Sequence, residues 1–103
     1  MRIAIPLAEG EVAPEFGRAP SFAVVEVNDY SKELADYVEV EPPSEDDQVI
    51  PWLAQQGVKL VLASSIQDRD RNRCMTNGID VVSGVGKRAP QAAVSSYLQG
   101  KAG

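Results

Sequence analysis

Hydrophobic and polar positions follow a period of two up to Glu41 and turn to a helical period beyond Pro42-Pro43. Arg2–Leu7 is a short apolar run built on Ile3 and Ile5 and reads as a buried strand. Ala8–Pro14, with Gly10 and Pro14 as breakers, reads as a polar turn region. Ser21–Val27 (SFAVVEV) is rich in the β-branched and aromatic residues that fit a pleated surface, and reads as a second strand. Asn28–Lys32 is a turn by composition. Leu34–Glu41 sets Val38 and Val40 against Glu39 and Glu41, the pattern of a third strand with one wet face. These three runs make an antiparallel meander.

Pro42-Pro43 stops the third strand. Ser44 followed by Asp47 resembles a capping box for a helix through Gln56, and Gly57 is a natural stop. Pro51 means that this helix either begins just before it or is kinked there. Lys59–Ala63 is a buried strand by its apolar run. Ser65 is placed to cap a helix over Ile66–Asn77, and Gly78 ends it. Ile79–Val82 is the last strand. Ala89–Leu98 is a helix with Ala89, Ala93, Val94, Tyr97 and Leu98 on one face, Pro90 in its first turn and Gly100 after it. The order is βββαβαβα, an α/β chain in which right-handed crossovers put the last two strands parallel to the first. The expected architecture is ribonuclease H-like: a five-stranded mixed sheet of order 3-2-1-4-5, strand 2 antiparallel, with three helices. Residues 1–103 are expected to form a single domain, since no repeat, linker or low-complexity tract interrupts them.

Composition narrows the function classes. The chain has 103 residues, 44% hydrophobic and 24% charged, ordinary for a globular domain. A single cysteine excludes an internal disulfide and suits a reducing compartment. Met1–Pro6 is too short for a signal peptide and no apolar run approaches membrane length, so a cytoplasmic location without membrane contact is expected. Residues 1–50 hold twelve Asp and Glu against three Lys and Arg, whereas residues 51–103 hold three against seven, and the whole carries −5. That balance argues against nucleic acid, which needs a basic footprint. The basic half leaves room for a small anion or an acidic partner. Histidine is absent, which removes the commonest general base and transition-metal ligand.

The stretch with the most chemistry is Glu15-Phe16-Gly17-Arg18-Ala19-Pro20, between the first two expected strands. Phe16 is suited to anchoring the loop, Gly17 to an unusual backbone angle or a close approach, and Pro20 to an extended exit. Arg18 is then a five-donor guanidinium on a stiff loop, fit for an anion or a carboxylate; the plainer reading is a structural ion pair.

The opening MRIAIP, the segment Val12–Pro20 (VAPEFGRAP) and Phe22–Val27 (FAVVEV) resemble the dinitrogenase iron–molybdenum cofactor biosynthesis family, the NifX-like domain also found at the C-terminus of NifB. Gly57–Ala63, Gly78-Ile79 and the ending Tyr97-Leu98-Gln99-Gly100 are similar too, so the resemblance covers nearly the whole chain. It implies a ribonuclease H-like fold, a tie to nitrogen fixation and, for some members, binding or carrying of an iron–sulfur or iron–molybdenum cluster precursor. Two departures stand out. The family's loop usually starts with histidine where this chain has Glu15. Its fourth strand usually ends in glycines where this chain has Ser64-Ser65-Ile66-Gln67, followed by the unusually polar Asp68–Cys74.

In open α/β sheets ligands favour the crevice at the carboxyl ends of parallel strands. The expected site gathers the Phe16-Gly17-Arg18 loop, Ser64 and Ser65 after the fourth strand, and Gly84, Gly86, Lys87 and Arg88 after the fifth. Taken singly, Ser65 is more simply a helix cap and Lys87 and Arg88 a solvated surface. Cys74 is the one soft ligand, too few for a cluster that takes four thiolates, and reads as a small buried residue of a helix. Ribonuclease H-like nucleases need clustered carboxylates, one of them on the first strand, and Arg2–Leu7 has none. No catalytic or metal-ligating residues are expected. The acidic run Glu39, Glu41, Glu45, Asp46, Asp47 reads either as a docking face or as a solvated helix start. The leading expectation is a non-catalytic binder of an anionic cluster precursor; the alternative is a protein-interaction module that kept the fold and lost the ligand.

Overall fold

The computed structural model describes residues 1–100. Its elements are β1 (Arg2–Ala8), β2 (Glu11–Val12), β3 (Ser21–Val27), β4 (Leu34–Val40), α1 (Asp46–Gln55), β5 (Val58–Leu62), α2 (Asp68–Thr76), β6 (Asp80–Val82) and α3 (Pro90–Leu98). β1 is central: it pairs antiparallel with β3 and parallel with β5. β4 lies antiparallel outside β3 and β6 parallel outside β5, so the path across the sheet is β4-β3-β1-β5-β6.

The sheet has six strands. Glu11–Val12, expected as turn, folds back on β1 with Leu7 opposite Val12 and Ala8 opposite Glu11. The turn that allows this is Glu9-Gly10, both at positive φ (54° and 81°), the backbone of a tight two-residue hairpin. Glu at the first of those positions hides a signal that Asn or Asp would have displayed. The structure is thus a six-stranded open mixed sheet with three helices, in place of the five-stranded, ribonuclease H-like sheet expected.

Period-two alternation splits the core by sheet face. Ile3, Ile5 and Leu7 join Val12, Leu60, Leu62 and Val85 beneath Ala93 and Val94 of α3. Ala4, Phe22, Val58, Val61 and Ala63 face the other way, against Ile50 and Leu53 of α1 and Cys74 of α2. Each large apolar side chain so buried contributes roughly 1.5–3 kcal/mol.

Several local expectations are corrected. α1 begins at Asp46 with no side-chain cap, so Ser44 closes no capping box, and Pro51 lies inside the helix. α2 begins at Asp68, not Ile66, and Ser65 does not cap it. β4 has no fully dry face: Leu34 and Val38 are 39% and 46% exposed, and only Tyr37 and Val40 are half-buried, at the margins of the two cores. Gly57 does end α1, at φ +81°, with its N–H donated to the Ala54 carbonyl. No helix among the described residues is long and apolar enough to cross a membrane.

Candidate functional site

A cleft of about 560 Å³ opens on the α1/α2 side of the sheet's end. Three segments wall it: Glu15–Pro20, the β4–α1 linker from Glu41 to Ser44 with Asp46, and Ser65–Asp70 without Asp68. Phe16 sets the position of the first wall. Its ring is nearly buried and meets Phe22 edge-on (centroids 5.5 Å), and Phe22 meets Trp52 likewise at 6.1 Å. The Phe16 N–H donates to the Ser65 carbonyl at 2.9 Å, which ties the loop to the β5–α2 connection. Residues 16–18 then form one 3-10 turn.

That turn leaves Arg18 86% exposed, with its Nε 3.2 Å from Glu15 Oε2. Gly17 has no positive φ, and a Cβ there would meet Asp70 Oδ2 at an ordinary 3.6 Å, so neither backbone nor space demands a glycine. Gly17 sits directly beside the Asp70 carboxylate at the cleft wall. Asp70 is 8% exposed, the one buried charged residue among those described, and its nearest cation is Arg69, Nε to Oδ1 3.7 Å. By its alternation of charge, Asp68-Arg69-Asp70-Arg71 suggests exposed ion pairs; the helical period instead turns Asp70 and Cys74 inward together, one turn apart on α2.

The expected site divides. Phe16, Gly17, Arg18 and Ser65 line the cleft, whereas Ser64, Gly84, Gly86, Lys87 and Arg88 do not. The second group is bound up in the structure on the α3 side. The Gly84 N–H donates to the Ser64 carbonyl (2.9 Å) and Val85 is buried under α3. The Arg88 carbonyl accepts from Val12 N–H (2.8 Å), its guanidinium donates to Ser96 Oγ (3.1 Å), and Lys87 Nζ lies 3.7 Å from Glu11. Sequence reasoning did not assign Glu41, Asp46, Arg69 and Asp70 to the site. The Pro42-Pro43 bend brings in the first two, and the first turn of α2 brings in the others.

The charge of the lining follows. Glu15, Glu41, Asp46 and Asp70 face Arg18 and Arg69, four carboxylates to two guanidiniums. Protein–metal bonds find no partner here. Cys74 is fully buried, and its thiol is pushed up to about 11, first by burial and then by the neighbouring Asp70 carboxylate. Histidine is absent, and the described residues hold no group of three metal-ligating side chains. The donor set fits a group held by hydrogen bonds and charge, and does not fit a cluster ligated by this chain.

Residues 1–100 match the family described as dinitrogenase iron-molybdenum cofactor. Among curated protein sequences there is no match. Solved structures do match. The protein PH0822 superposes with a TM-score of 0.90 at 27% identity, covering 100% of this chain and 93% of that one. The apo form of the orange protein of Desulfovibrio gigas gives 0.77 at 25% identity, covering 99% and 90%. The protein mj0327 of Methanocaldococcus jannaschii gives 0.81 at 14% identity, covering 100% and 92%, a likeness of fold alone. With the Phe16–Pro20 loop at the mouth of its cleft and a family match over residues 1–100, this chain belongs to the dinitrogenase iron–molybdenum cofactor family.

Proposed function

We propose that this chain is a non-catalytic binding domain, a carrier for an anionic metal-cluster precursor of the iron–sulfur or iron–molybdenum type. Its ligand sits in the cleft beneath the Phe16–Arg18 turn. The observation that carries this reading is the cleft's makeup: the family's most specific segment forms one wall, and two guanidiniums face the opening. The family match and the likeness to an orange protein solved in its apo form support it. Arg18 is held only by an exposed, same-segment ion pair worth under about 1 kcal/mol, and Arg69, itself exposed, meets the buried Asp70 only at 3.7 Å, so both guanidiniums are available to an entering anion. Contact is through N–H and O–H donors, Arg18, Arg69 and Ser65, and not through bonds to metal. Without histidine and with its thiol buried, the chain has no Ser–His or Cys–His pairing of the kind nucleophilic catalysis uses. The chain acts in this reading as one NifX-like domain in the cytoplasm.

Anaerobic titration with tetrathiomolybdate and with a thiolate-ligated iron–sulfur cluster, followed by absorbance, tests this. Saturable binding is expected, weakened about tenfold by Arg18→Ala, the size of one lost charge-assisted hydrogen bond. Equal binding by the variant, or none by either protein, overturns it.

A second reading rests on a specific observation, the two-carboxylate excess in the cleft. A protein-interaction module on this fold, its pocket taking a basic side chain of a partner, accommodates that excess as well as Glu15 and Ser64-Ser65, where the family pattern is broken.

A further inference from the structure

Among the described residues, the outer edge of β4 is the one long backbone edge of this sheet without a neighbour. Six of its seven residues pair with β3 on one side and, among the described residues, nothing pairs on the other, while the opposite border, β6, has three. Such an edge is a template for another strand unless it is blocked by lysine, proline or a bulge. β4 contains no lysine or proline. Its one irregularity, the register shift between Glu26 and Val27, lies at its start and leaves Asp36–Val40 regular. The Tyr37 N–H is met by the carboxylate of its own neighbour, Asp36 Oδ1, at 2.9 Å. An edge donor accepts that local stopgap when no carbonyl stands beside it. Glu39 shares Tyr37's side of the strand, since outward backbone groups recur at every second residue, whereas Ala35 is the residue the shift leaves unpaired.

The surroundings specify what would fill this edge. Leu34 and Val38 are exposed, and Val38 and Val40 border a groove with Val24 that runs beside Gln56 at the end of α1. Residues 33–47 hold seven acids, Glu33, Asp36, Glu39, Glu41, Glu45, Asp46 and Asp47, and no lysine or arginine. A second copy of this chain would bring two such stretches together, so charge disfavours self-pairing. We infer that β4 is a docking edge for an extended segment of a partner protein in which Lys or Arg alternates with aliphatic residues. The segment adds as a further strand, its aliphatic side chains over Val38 and Val40 and its cations among the acids. β-Strand addition of this kind draws affinity from main-chain hydrogen bonds and specificity from alternate side chains. The surface lies outside the cleft walls save for Glu41 and Asp46, and the strand edge itself lies wholly outside them, so it stands whether or not the cleft takes a cluster.

The test uses the ¹⁵N-labelled full chain and a short capped peptide alternating lysine and valine, read by amide shifts and hydrogen exchange. Shifts confined to Leu34–Val40, with new protection of the Tyr37 amide, are expected. Glu33→Lys/Glu39→Lys should weaken binding about tenfold, the sum of two reversed exposed pairs. N-methylation of alternate peptide residues, which keeps the charge and removes strand pairing, should abolish binding. If the double variant fails to fold, Glu39→Gln gives the same comparison at about twofold. Shifts centred on Phe16–Arg18, or equal binding by the N-methylated peptide, overturn the inference. So does protection of edge amides that rises with protein concentration alone, since a second copy is then the occupant.

Discussion

Asp70 and Cys74 occupy successive turns on the inner side of α2, a carboxylate and a thiol where the helical pattern of an ordinary core would set aliphatic residues. In the sequence Asp70 looks like its neighbours Asp68 and Arg69. Only the phase of the helix, fixed once α2 starts at Asp68, separates it from them. Its carboxylate faces the cleft across Gly17 and opposes any anion there. Asp70→Asn keeps the shape and removes the charge. Affinity for tetrathiomolybdate in the titration above should rise about fivefold, the effect of roughly 1 kcal/mol at a partly screened site. Cys74 gives a pH prediction whose sign is fixed by its environment. Burial raises the thiol from about 9 to about 11, so between those values the unfolded chain holds fewer protons than the folded one. The Cys74 contribution to stability is therefore whole below pH 9 and is lost as pH rises through the window. Denaturant titrations from pH 8 to 11 should show a decline that is shallower in Cys74→Ala. Tyr37, raised from about 10 to about 12 mainly by burial, adds a loss from about pH 10 upward in both proteins, so the difference between them reports Cys74.

At the scale of elements, strands were more legible than helix starts. The β1, β3, β4, β5 and β6 segments follow from alternation and β-branched content, because those patterns report burial on a pleated surface whatever the neighbours are. Helix starts depend on caps, and none of the three helices has a side-chain cap, so Ser44 and Ser65 pointed to contacts that do not exist. Packing overrides the local signal in α1 as well. Ile50 and Leu53 are buried on either side of Pro51, whose ring is exposed and whose missing N–H leaves the Asp47 carbonyl without its helical donor. Burial of that face holds the helix together despite the proline. Pro51→Ala should restore the donor and stabilise the chain by about 1–2 kcal/mol, the helix-interior penalty of proline less its effect on the unfolded chain. A matching rise in melting temperature by calorimetry is the expected result; a fall would mean the ring itself packs.

For the whole molecule, what the sequence hid was which side of the sheet each loop belongs to. Loops at the carboxyl ends of β1, β5 and β6 all lie near one end, and from topology alone they converge on a single site. The β1–β2 hairpin changes this. It carries Val12 into the core under α3, and the chain then crosses to seat Phe16 in the opposite core, under α1 and α2. Ser65 joins Phe16 on that side through its carbonyl, whereas Arg88 joins Val12 on the other. A five-stranded reading without β2 has no reason to separate them. The separation has a functional consequence. If the cleft is the binding site, cations on its walls should matter and equally basic residues of the α3-side loop should not. Arg69→Ala should weaken tetrathiomolybdate binding about three- to tenfold, since its guanidinium lines the cleft behind a weak 3.7 Å pair. Lys87→Ala, which removes the same charge from a residue paired with Glu11, should change it by less than about twofold, the screened effect of a distant surface charge. Parallel titrations at physiological salt decide between the two arrangements. Equal losses in both variants would mean that the ligand bridges the two faces around the end of β1.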